Sequence, residues 1–183
     1  MGFIEITNNH LYKIGDSLFV NNPILLFVNL NQNRIEYISS GAFNGTTLNY
    51  LDLNNNNITD FSPGTFNGMA NLTILIIRNN RLSNLREDMF GSTFNTLNAI
   101  LASTNQISFI EEEFFDNAVA LDFLDLKDNF CISETFSNII NNRDFVRSQL
   151  ARCFGNVEEE TISCDYQPTA CLMSIHNPSK LIL

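Results

Sequence analysis

The stretch from Leu48 to Phe66, LNYLDLNNNNITDFSPGTF, constrains the fold most, because almost every other segment of the chain can be aligned with it residue for residue. Counted from Leu48, apolar residues stand at offsets 0, 3, 5, 10, 13 and 18, and an asparagine stands at offset 8. Self-similarity at a fixed period is typical of repeat proteins, in which each unit buries its apolar face against its neighbours. We therefore expect an array of stacked units.

The units follow one another at steps of 24, 23, 24, 25 and 24 residues. They begin at Met1, Leu25, Leu48, Leu72, Leu97 and Leu121. Offset 8 is an asparagine in every unit: Asn9, Asn33, Asn56, Asn80, Asn105 and Asn129. Offset 18 is a phenylalanine in the first five units: Phe19, Phe43, Phe66, Phe90 and Phe115. The phase of the repeat is therefore kept along about 130 residues.

Each unit has the pattern of a short strand followed by a turn. Apolar offsets 3 and 5 alternate with variable positions, which is the period of a strand with one buried face. After the strand the chain bends inward and leaves backbone N–H and C=O groups between stacked units, where water cannot reach them. An asparagine side chain carries both a donor and an acceptor, so the offset-8 column can satisfy these groups. We expect the phenylalanine column to stack in the interior on the convex side.

The pattern LxxLxLxxNxL, which covers positions 1 to about 131, resembles the leucine-rich repeat family, and the period near 24 resembles its typical extracellular subclass. The resemblance implies an α/β solenoid: a right-handed horseshoe of about six repeats of 23–25 residues with a parallel concave sheet. We assign residues 1–130 to the repeats.

The end of the chain differs from the repeats. Four cysteines, Cys131, Cys153, Cys164 and Cys171, lie in the last third. Their even number and crowding favour disulfides and an oxidising compartment. Four cysteines permit three pairings, of which we prefer Cys131 with Cys153 and Cys164 with Cys171.

Residues 142–154 have the pattern of a short amphipathic helix with Phe145, Leu150 and Cys153 or Phe154 facing inward. Asn141 or Asn142 is its expected N-cap. Together with Cys131 and Cys153, this helix resembles the C-terminal cysteine cap of extracellular leucine-rich repeat proteins, in an insect-like variant. We assign residues 131–157 to a helical disulfide cap and 158–183 to a linker and a tail to which we assign no fold.

Function is expected on the concave side, which offsets 2, 4, 6 and 7 face when offsets 3 and 5 point inward. These offsets carry an aromatic stripe and an apolar patch with an arginine beside it and carboxylates on either side. That make-up is typical of an interaction hot spot, although neighbouring side chains can also simply pack along a sheet. The candidate partner-binding residues are Phe27, Tyr50, Asp52, Ile74, Ile76, Arg78, Leu101 and Asp125.

Composition limits the partner. The net charge of −10 disfavours nucleic acid and anionic membranes, which lysine and arginine must attract, so we expect a neutral or basic protein. No apolar run is long enough to span a membrane, and residues 1–6 lack the pattern of a signal peptide. Asn44, Asn57 and Asn71 begin N-glycosylation sequons at about the number expected by chance, so they permit secretion without indicating it.

We expect neither catalysis nor a cofactor, because no nucleophile, phosphate-loop or metal-ligand pattern occurs. His10 and His176 are isolated, and the glutamate runs 111–113 and 158–160 are typical of solvated surfaces. The leading hypothesis is an extracellular recognition, adhesion or innate-immune module that is not an enzyme.

Two alternatives remain open. One is a scaffold that self-associates through its N-terminal repeat, for which we find no cap pattern, so that we expect the native protein to extend upstream. The other is an accessory domain of a larger receptor or enzyme.

Overall fold

A computed structural model describes residues 2–16, 18–19 and 22–155. The described residues form one seven-stranded sheet, two two-stranded sheets and short helices. The strands are β1 (Gly2–Glu5), β2 (Lys13–Ile14), β3 (Leu25–Asn29), β4 (Tyr37–Ile38), β5 (Tyr50–Asp52), β6 (Ile74–Ile76), β7 (Asn84–Leu85), β8 (Ala99–Leu101), β9 (Phe109–Ile110), β10 (Phe123–Asp125) and β11 (Thr135–Ser137). The α-helices are α1 (Glu112–Asn117) and α2 (Arg143–Leu150), and the 3₁₀ helices are Glu87–Met89, Gly91–Asn95 and Ile139–Asn141.

The large sheet runs in the order β1-β3-β5-β6-β8-β10-β11. Its first six strands are parallel, one from each repeat, and equivalent offsets pair, as Leu51 does with Leu75 and Leu75 with Ile100. This confirms the predicted solenoid with a parallel sheet. The small sheets pair β2 with β4 and β7 with β9 on later parts of the repeats.

Side chains at offsets 3 and 5 fill the core along most of the array. Those of repeats two to six are fully or almost fully buried: Val28, Leu30, Leu51, Leu53, Leu75, Ile77, Ile100, Ala102, Leu124 and Leu126. Ile4 and Ile6 of the first repeat are only half-buried, because no described repeat packs on their outer side.

The offset-8 asparagines bridge adjacent repeats as expected. Asn56 Nδ2 donates to the carbonyl of Leu53 in its own repeat (3.0 Å) and to that of Leu30 in the preceding one (3.1 Å). Its Oδ1 accepts from the backbone N–H of Ile35, also in the preceding repeat (2.9 Å). Asn33, Asn80, Asn105 and Asn129 make the equivalent bonds. Asn9 is exposed, and its amide donates within its own turn to the Thr7 carbonyl.

The phenylalanine column is buried, but the prediction for its fifth member was wrong. Phe66 stacks on Phe90, with 5.0 Å between ring centroids, and Phe90 then contacts Phe114 at 5.5 Å. Phe115, the predicted fifth member, instead contacts Phe154, which follows helix α2. The fifth repeat forms helix α1 where the fourth forms 3₁₀ turns, and the helical turn brings the preceding residue into the column.

Offset 7 also keeps the same backbone geometry from repeat to repeat, which was not predicted from the sequence. The residue before each ladder asparagine has a left-handed backbone, with φ between 50° and 57°. These residues are Asn8, Gln32, Asn55, Asn79, Thr104 and Asp128. Asparagine and aspartate tolerate this conformation better than other residues with a side chain, which explains four of the six. Offset 7 is therefore a turn position, set by backbone geometry.

The last repeat is closed by β11, which pairs antiparallel with β10, and by helix α2. A disulfide joins Cys131 to Cys153, one of the two bridges preferred from the sequence. Cys164, Cys171 and the rest of the tail lie outside the described residues.

Helix α2 packs through Val146 and Leu150, which are buried. The expectation that Phe145 faces inward was wrong, since 63% of it is exposed. The Asn142 side chain, at the N-cap position, makes no capping bond and donates instead to the Asn138 carbonyl. Arg147 ties the helix to α1 through ion pairs with Glu112 and Asp116. Across the described residues, no helix has the length and apolar character needed to cross a membrane.

Candidate binding face

The solvent-facing side of the large sheet, called the concave face below, presents offsets 2 and 4 of each repeat. Strand pairing places these offsets in two rows that cross the sheet. The offset-2 row is Phe3, Phe27, Tyr50, Ile74, Ala99 and Phe123, and the offset-4 row is Glu5, Asn29, Asp52, Ile76, Leu101 and Asp125. Seven of the eight predicted partner-binding residues stand in these rows, and Arg78 stands two residues after Ile76.

Three aromatic rings stack at the N-terminal end of the offset-2 row. The centroids of Phe3 and Phe27 are 4.8 Å apart, and those of Phe27 and Tyr50 are 4.3 Å apart with ring planes only 10° from parallel. Each ring is covered by its neighbour, so Phe27 and Tyr50 are half-buried although they lie on the solvent side. The stack holds these side chains in fixed positions.

The centre of the concave face is aliphatic. Ile74 pairs with Ala99 and Ile76 with Leu101, so four apolar side chains occupy adjacent positions on β6 and β8. All four are half-buried and therefore keep part of their surface in contact with solvent. This set, called the apolar patch below, brings together three of the predicted residues.

Arg78 and Asp125 form an ion pair across the fifth repeat. The Arg78 Nη2 to Asp125 Oδ2 distance is 2.9 Å, and the Asp125 side chain is only 7% exposed. Asp125 also accepts from Thr135 Oγ1 of β11 (2.8 Å) and from the backbone N–H of Lys127 (3.4 Å). Burial alone would raise the pKa of Asp125, but these bonds, one from Ser103 and the Arg78 charge outweigh it, and the pKa lies below its usual value.

Asp52 has the same offset as Asp125 but a different environment. It is 9% exposed and lies between Asn29 and Ile76 in the sheet, and its Oδ1 accepts from the backbone N–H of Asn54 (2.8 Å). Burial raises its pKa above the usual value, and the Asn54 bond and the distant Arg78 charge offset this only in part. Among the described residues, Asp52 takes part in no ion pair.

The polar residues around Asp125 were missed in the sequence. Thr135 reaches it because β11 folds back beside β10, and the antiparallel pair brings Thr135 opposite Asp125. A signal existed, since Thr135, Phe136 and Ser137 alternate polar, apolar and polar as a half-buried strand does.

The remaining candidates lie away from this face. Asn44 and Asn71 are exposed and Asn57 is half-buried, and none is in a strand. His10 is exposed at the surface of the first repeat. Of the glutamate run 111–113, Glu111 accepts from the backbone N–H of Glu87 (2.7 Å) and Glu112 pairs with Arg147. Within the described part of the chain, no three acidic, histidine or cysteine side chains are grouped to hold a metal.

Comparison with known proteins agrees with the repeat geometry. The family model described as leucine rich repeat matches residues 41–82 and 70–130, which contain the strands of repeats three to six. This part of the chain, residues 41–130, belongs to the leucine-rich repeat family. No curated protein matches it significantly.

Solved leucine-rich repeat structures show the same fold. The crystal structure of a TLR13–ssRNA13 complex matches with a TM-score of 0.59 at 24% identity. The Toll–Spatzle complex of Drosophila, in its glycosylated form, matches with a TM-score of 0.51 at 23% identity. Each match covers 70% of this chain and 20% of the other, so the chain spans about a fifth of the length of these relatives. At this identity the likeness is one of fold.

Proposed function

We propose that the chain is a non-catalytic module that binds a protein partner on its concave face, outside the cell, in recognition, adhesion or innate immunity. The observation that carries the proposal is the apolar patch. Four adjacent aliphatic side chains keep part of their surface in water at the centre of a sheet. Covering them with a partner would gain about 25 cal/mol for each Å² of apolar surface removed from water.

The surroundings of the patch support a protein partner. Protein interfaces commonly have an apolar centre and a polar rim. Here Asp52 borders the patch on one side, and the Arg78–Asp125 pair borders it on the other. The aromatic stack next to Asp52 adds rigid apolar surface, which loses little conformational entropy on binding.

The charge of the chain favours a protein over a nucleic acid. One of the similar structures is a complex with single-stranded RNA, whereas the other is the complex of Toll with Spatzle. This chain carries 20 acidic and 10 basic residues. Phosphate binding needs lysine and arginine on the contact surface, and Arg78 on the concave face is already paired with an aspartate.

An extracellular setting is supported by the disulfide near the C-terminal end of the repeats, and the three sequons are compatible with it. Disulfides form and persist in oxidising compartments, and Cys131–Cys153 is such a bridge. We propose that Asn44, Asn57 and Asn71 carry glycans and that Cys164 pairs with Cys171. We also propose that the repeats extend over residues 1–130, the cap over 131–157, and the linker with its tail over 158–183.

The test compares two surface variants. Ile76→Glu with Leu101→Lys places charges in the apolar patch. Val119→Glu with Ile140→Lys makes the same exchange at exposed apolar positions near the cap, 60% and 55% exposed. Each protein is immobilised and offered the extracellular proteins of its source, and bound species are quantified by mass spectrometry.

We expect proteins that bind the wild type and the cap variant to be lost from the patch variant, while all three melt within about 2 °C of one another. Equal binding by the patch variant would refute the concave site. Light scattering on the same samples tests the scaffold alternative. Self-association of all three proteins, without any other bound protein, would favour it, because the N-terminal repeat is the same in each. Retention of single-stranded RNA at physiological salt would contradict the exclusion of nucleic acid.

A further inference from the structure

The offset-4 row has an acidic residue at each end of its central segment. Asp52 pairs with Ile76, Ile76 with Leu101, and Leu101 with Asp125. Two aliphatic side chains therefore stand between two carboxylates along a line that crosses four strands. Adjacent strands are about 4.8 Å apart, so the line is about 14 Å long.

The two ends are not equivalent. Asp125 is neutralised by Arg78 and accepts hydrogen bonds from Thr135 and the Lys127 backbone. Asp52 accepts one bond from the Asn54 backbone, and no described basic side chain pairs with it. Arg78 stands in the repeat next to Asp52, yet its guanidinium is directed to Asp125, in the opposite direction along the array.

An unpaired, largely buried carboxylate is costly, because burial removes water from the ion without supplying a counter-charge. Asp52 is 9% exposed, and this burial disfavours its charged form and raises its pKa. A cation brought by a partner would supply the missing counter-charge.

We propose that Asp52 selects the partner: it pairs with a lysine or arginine of an extended segment whose apolar side chain, two residues away, lies between Ile76 and Leu101. This proposal rests on the proposed function. From the Asp52 strand to the midpoint between the next two strands is about 7 Å, and alternate side chains of an extended chain are also about 7 Å apart. The spacing of the row therefore fits a basic and an apolar residue separated by one position.

The probe is a phage-displayed library of random ten-residue peptides. It is selected in parallel on the immobilised wild type, on Asp52→Asn, on the Ile76→Glu/Leu101→Lys patch variant and on Glu5→Gln. Glu5 is the matched control, because it is an exposed carboxylate in the same row, two strands from Asp52, and its loss changes the net charge equally.

We expect wild type and Glu5→Gln to enrich peptides with a basic and an apolar residue two positions apart, in either order. Asp52→Asn should keep the apolar preference and lose the basic one. A synthetic peptide from the enriched set should bind Asp52→Asn about tenfold more weakly than wild type. The same peptide with its basic residue replaced by glutamine should bind wild type and Asp52→Asn equally. The double-mutant cycle would then show coupling between Asp52 and the basic residue of the peptide.

The outcomes separate the two proposals. Enriched peptides that depend on the patch but show no basic preference, or no coupling in the cycle, would overturn the role of Asp52 and leave the concave site standing. Peptides that bind the wild type and the patch variant equally, or an absence of enrichment on the wild type, would overturn both. Thermal melting of Asp52→Asn at or above the wild-type temperature shows that weaker binding does not come from misfolding.

Discussion

Replacement of Asn80 by alanine tests whether the asparagine ladder holds the repeats together. Asn80 Nδ2 donates to the carbonyls of Leu53, Ile77 and Arg78 at 3.0, 3.1 and 3.0 Å. Its Oδ1 accepts from the backbone N–H of Ile58 at 3.0 Å. Asn80 thus connects its own turn to the preceding repeat at two points, and the residue is 8% exposed.

The loss can be worked out group by group. The Ile58 N–H would lose its partner in a site closed to water, which costs about 1–3 kcal/mol. The carbonyls of Leu53 and Ile77 would each keep one bond, from Asn56 and Asn105 respectively. Their contribution is therefore smaller, and we expect about 2–4 kcal/mol in total. For a chain of this size that corresponds to a fall in Tm of about 4–16 °C.

Asn9→Ala is the matched control, since Asn9 belongs to the same column but is exposed, with one bond within its own turn. We expect it to lower the Tm by about 2 °C or less. Calorimetry and far-UV circular dichroism should be run together, because repeat arrays can unfold in parts. The ladder is expected to stabilise the protein through its bonds between repeats and not through those within each turn. Equal decreases in Tm for Asn80→Ala and Asn9→Ala would refute this expectation.

Three further predictions concern the core, the cap and pH. In denaturant titrations, Phe66→Ala should lower the free energy of unfolding by about 3–5 kcal/mol, because Phe66 is fully buried. Phe145→Ala, on the exposed side of α2, should change it by about 0.5 kcal/mol or less. Similar values for the two variants would contradict the core assignment. Replacing Cys131 and Cys153 by serine should lower the free energy of unfolding by about 3 kcal/mol, because the disulfide closes a loop with a sequence separation of 22. A wild-type Tm that does not change when reductant is added would contradict this stabilising role. The folded-state pKa of Asp125 is depressed, so its stabilisation is present above the unfolded pKa of about 3.9 and is lost as pH falls from there through the folded pKa. Asp125→Asn should flatten that part of a Tm–pH curve, and parallel curves would show that the depressed pKa is wrong.

The repeat positions that could be predicted are those the backbone itself demands. Offsets 3 and 5 must be apolar because they point between the strands and the convex segments, and offset 8 must carry both a donor and an acceptor. These demands recur in each unit, so each column reports the same local geometry several times. The solenoid, the parallel sheet and the asparagine bridges followed from that redundancy.

A change of backbone geometry that occurs in only one repeat leaves no recurring pattern in the sequence from which to predict it. Phe114 and Phe115 are adjacent, and only the formation of α1 decides which of them reaches Phe90. In α2, the inward pair Val146 and Leu150 has the i, i+4 spacing of a helix face, so the correct choice over Phe145 was available from periodicity.

The ion pair between Arg78 and Asp125 could not be predicted in the same way. The residues are 47 positions apart and stand at different offsets in repeats four and six. The pair forms because a long side chain can cross the intervening repeat, where Leu101 and Ser103 stand. The direction that an arginine takes on a sheet depends on which acceptors surround it, and Asp125 is held in place by a hydrogen bond from Thr135 of β11.

Asp52 and Asp125 show why the column alone cannot assign a role on the concave face. They are the same residue type at the same offset, both almost fully buried, yet the pKa of one is raised and that of the other is lowered. The difference comes from their neighbours: β11 and Arg78 supply donors and a charge to Asp125, whereas Asp52 stands beside Ile76 and the aromatic stack. The repeat thus fixes where a side chain lies on the sheet, and residues of neighbouring repeats determine whether its charge is paired with an opposite charge. A carboxylate that is held in place but left without a cation is the position at which a basic partner has most to gain.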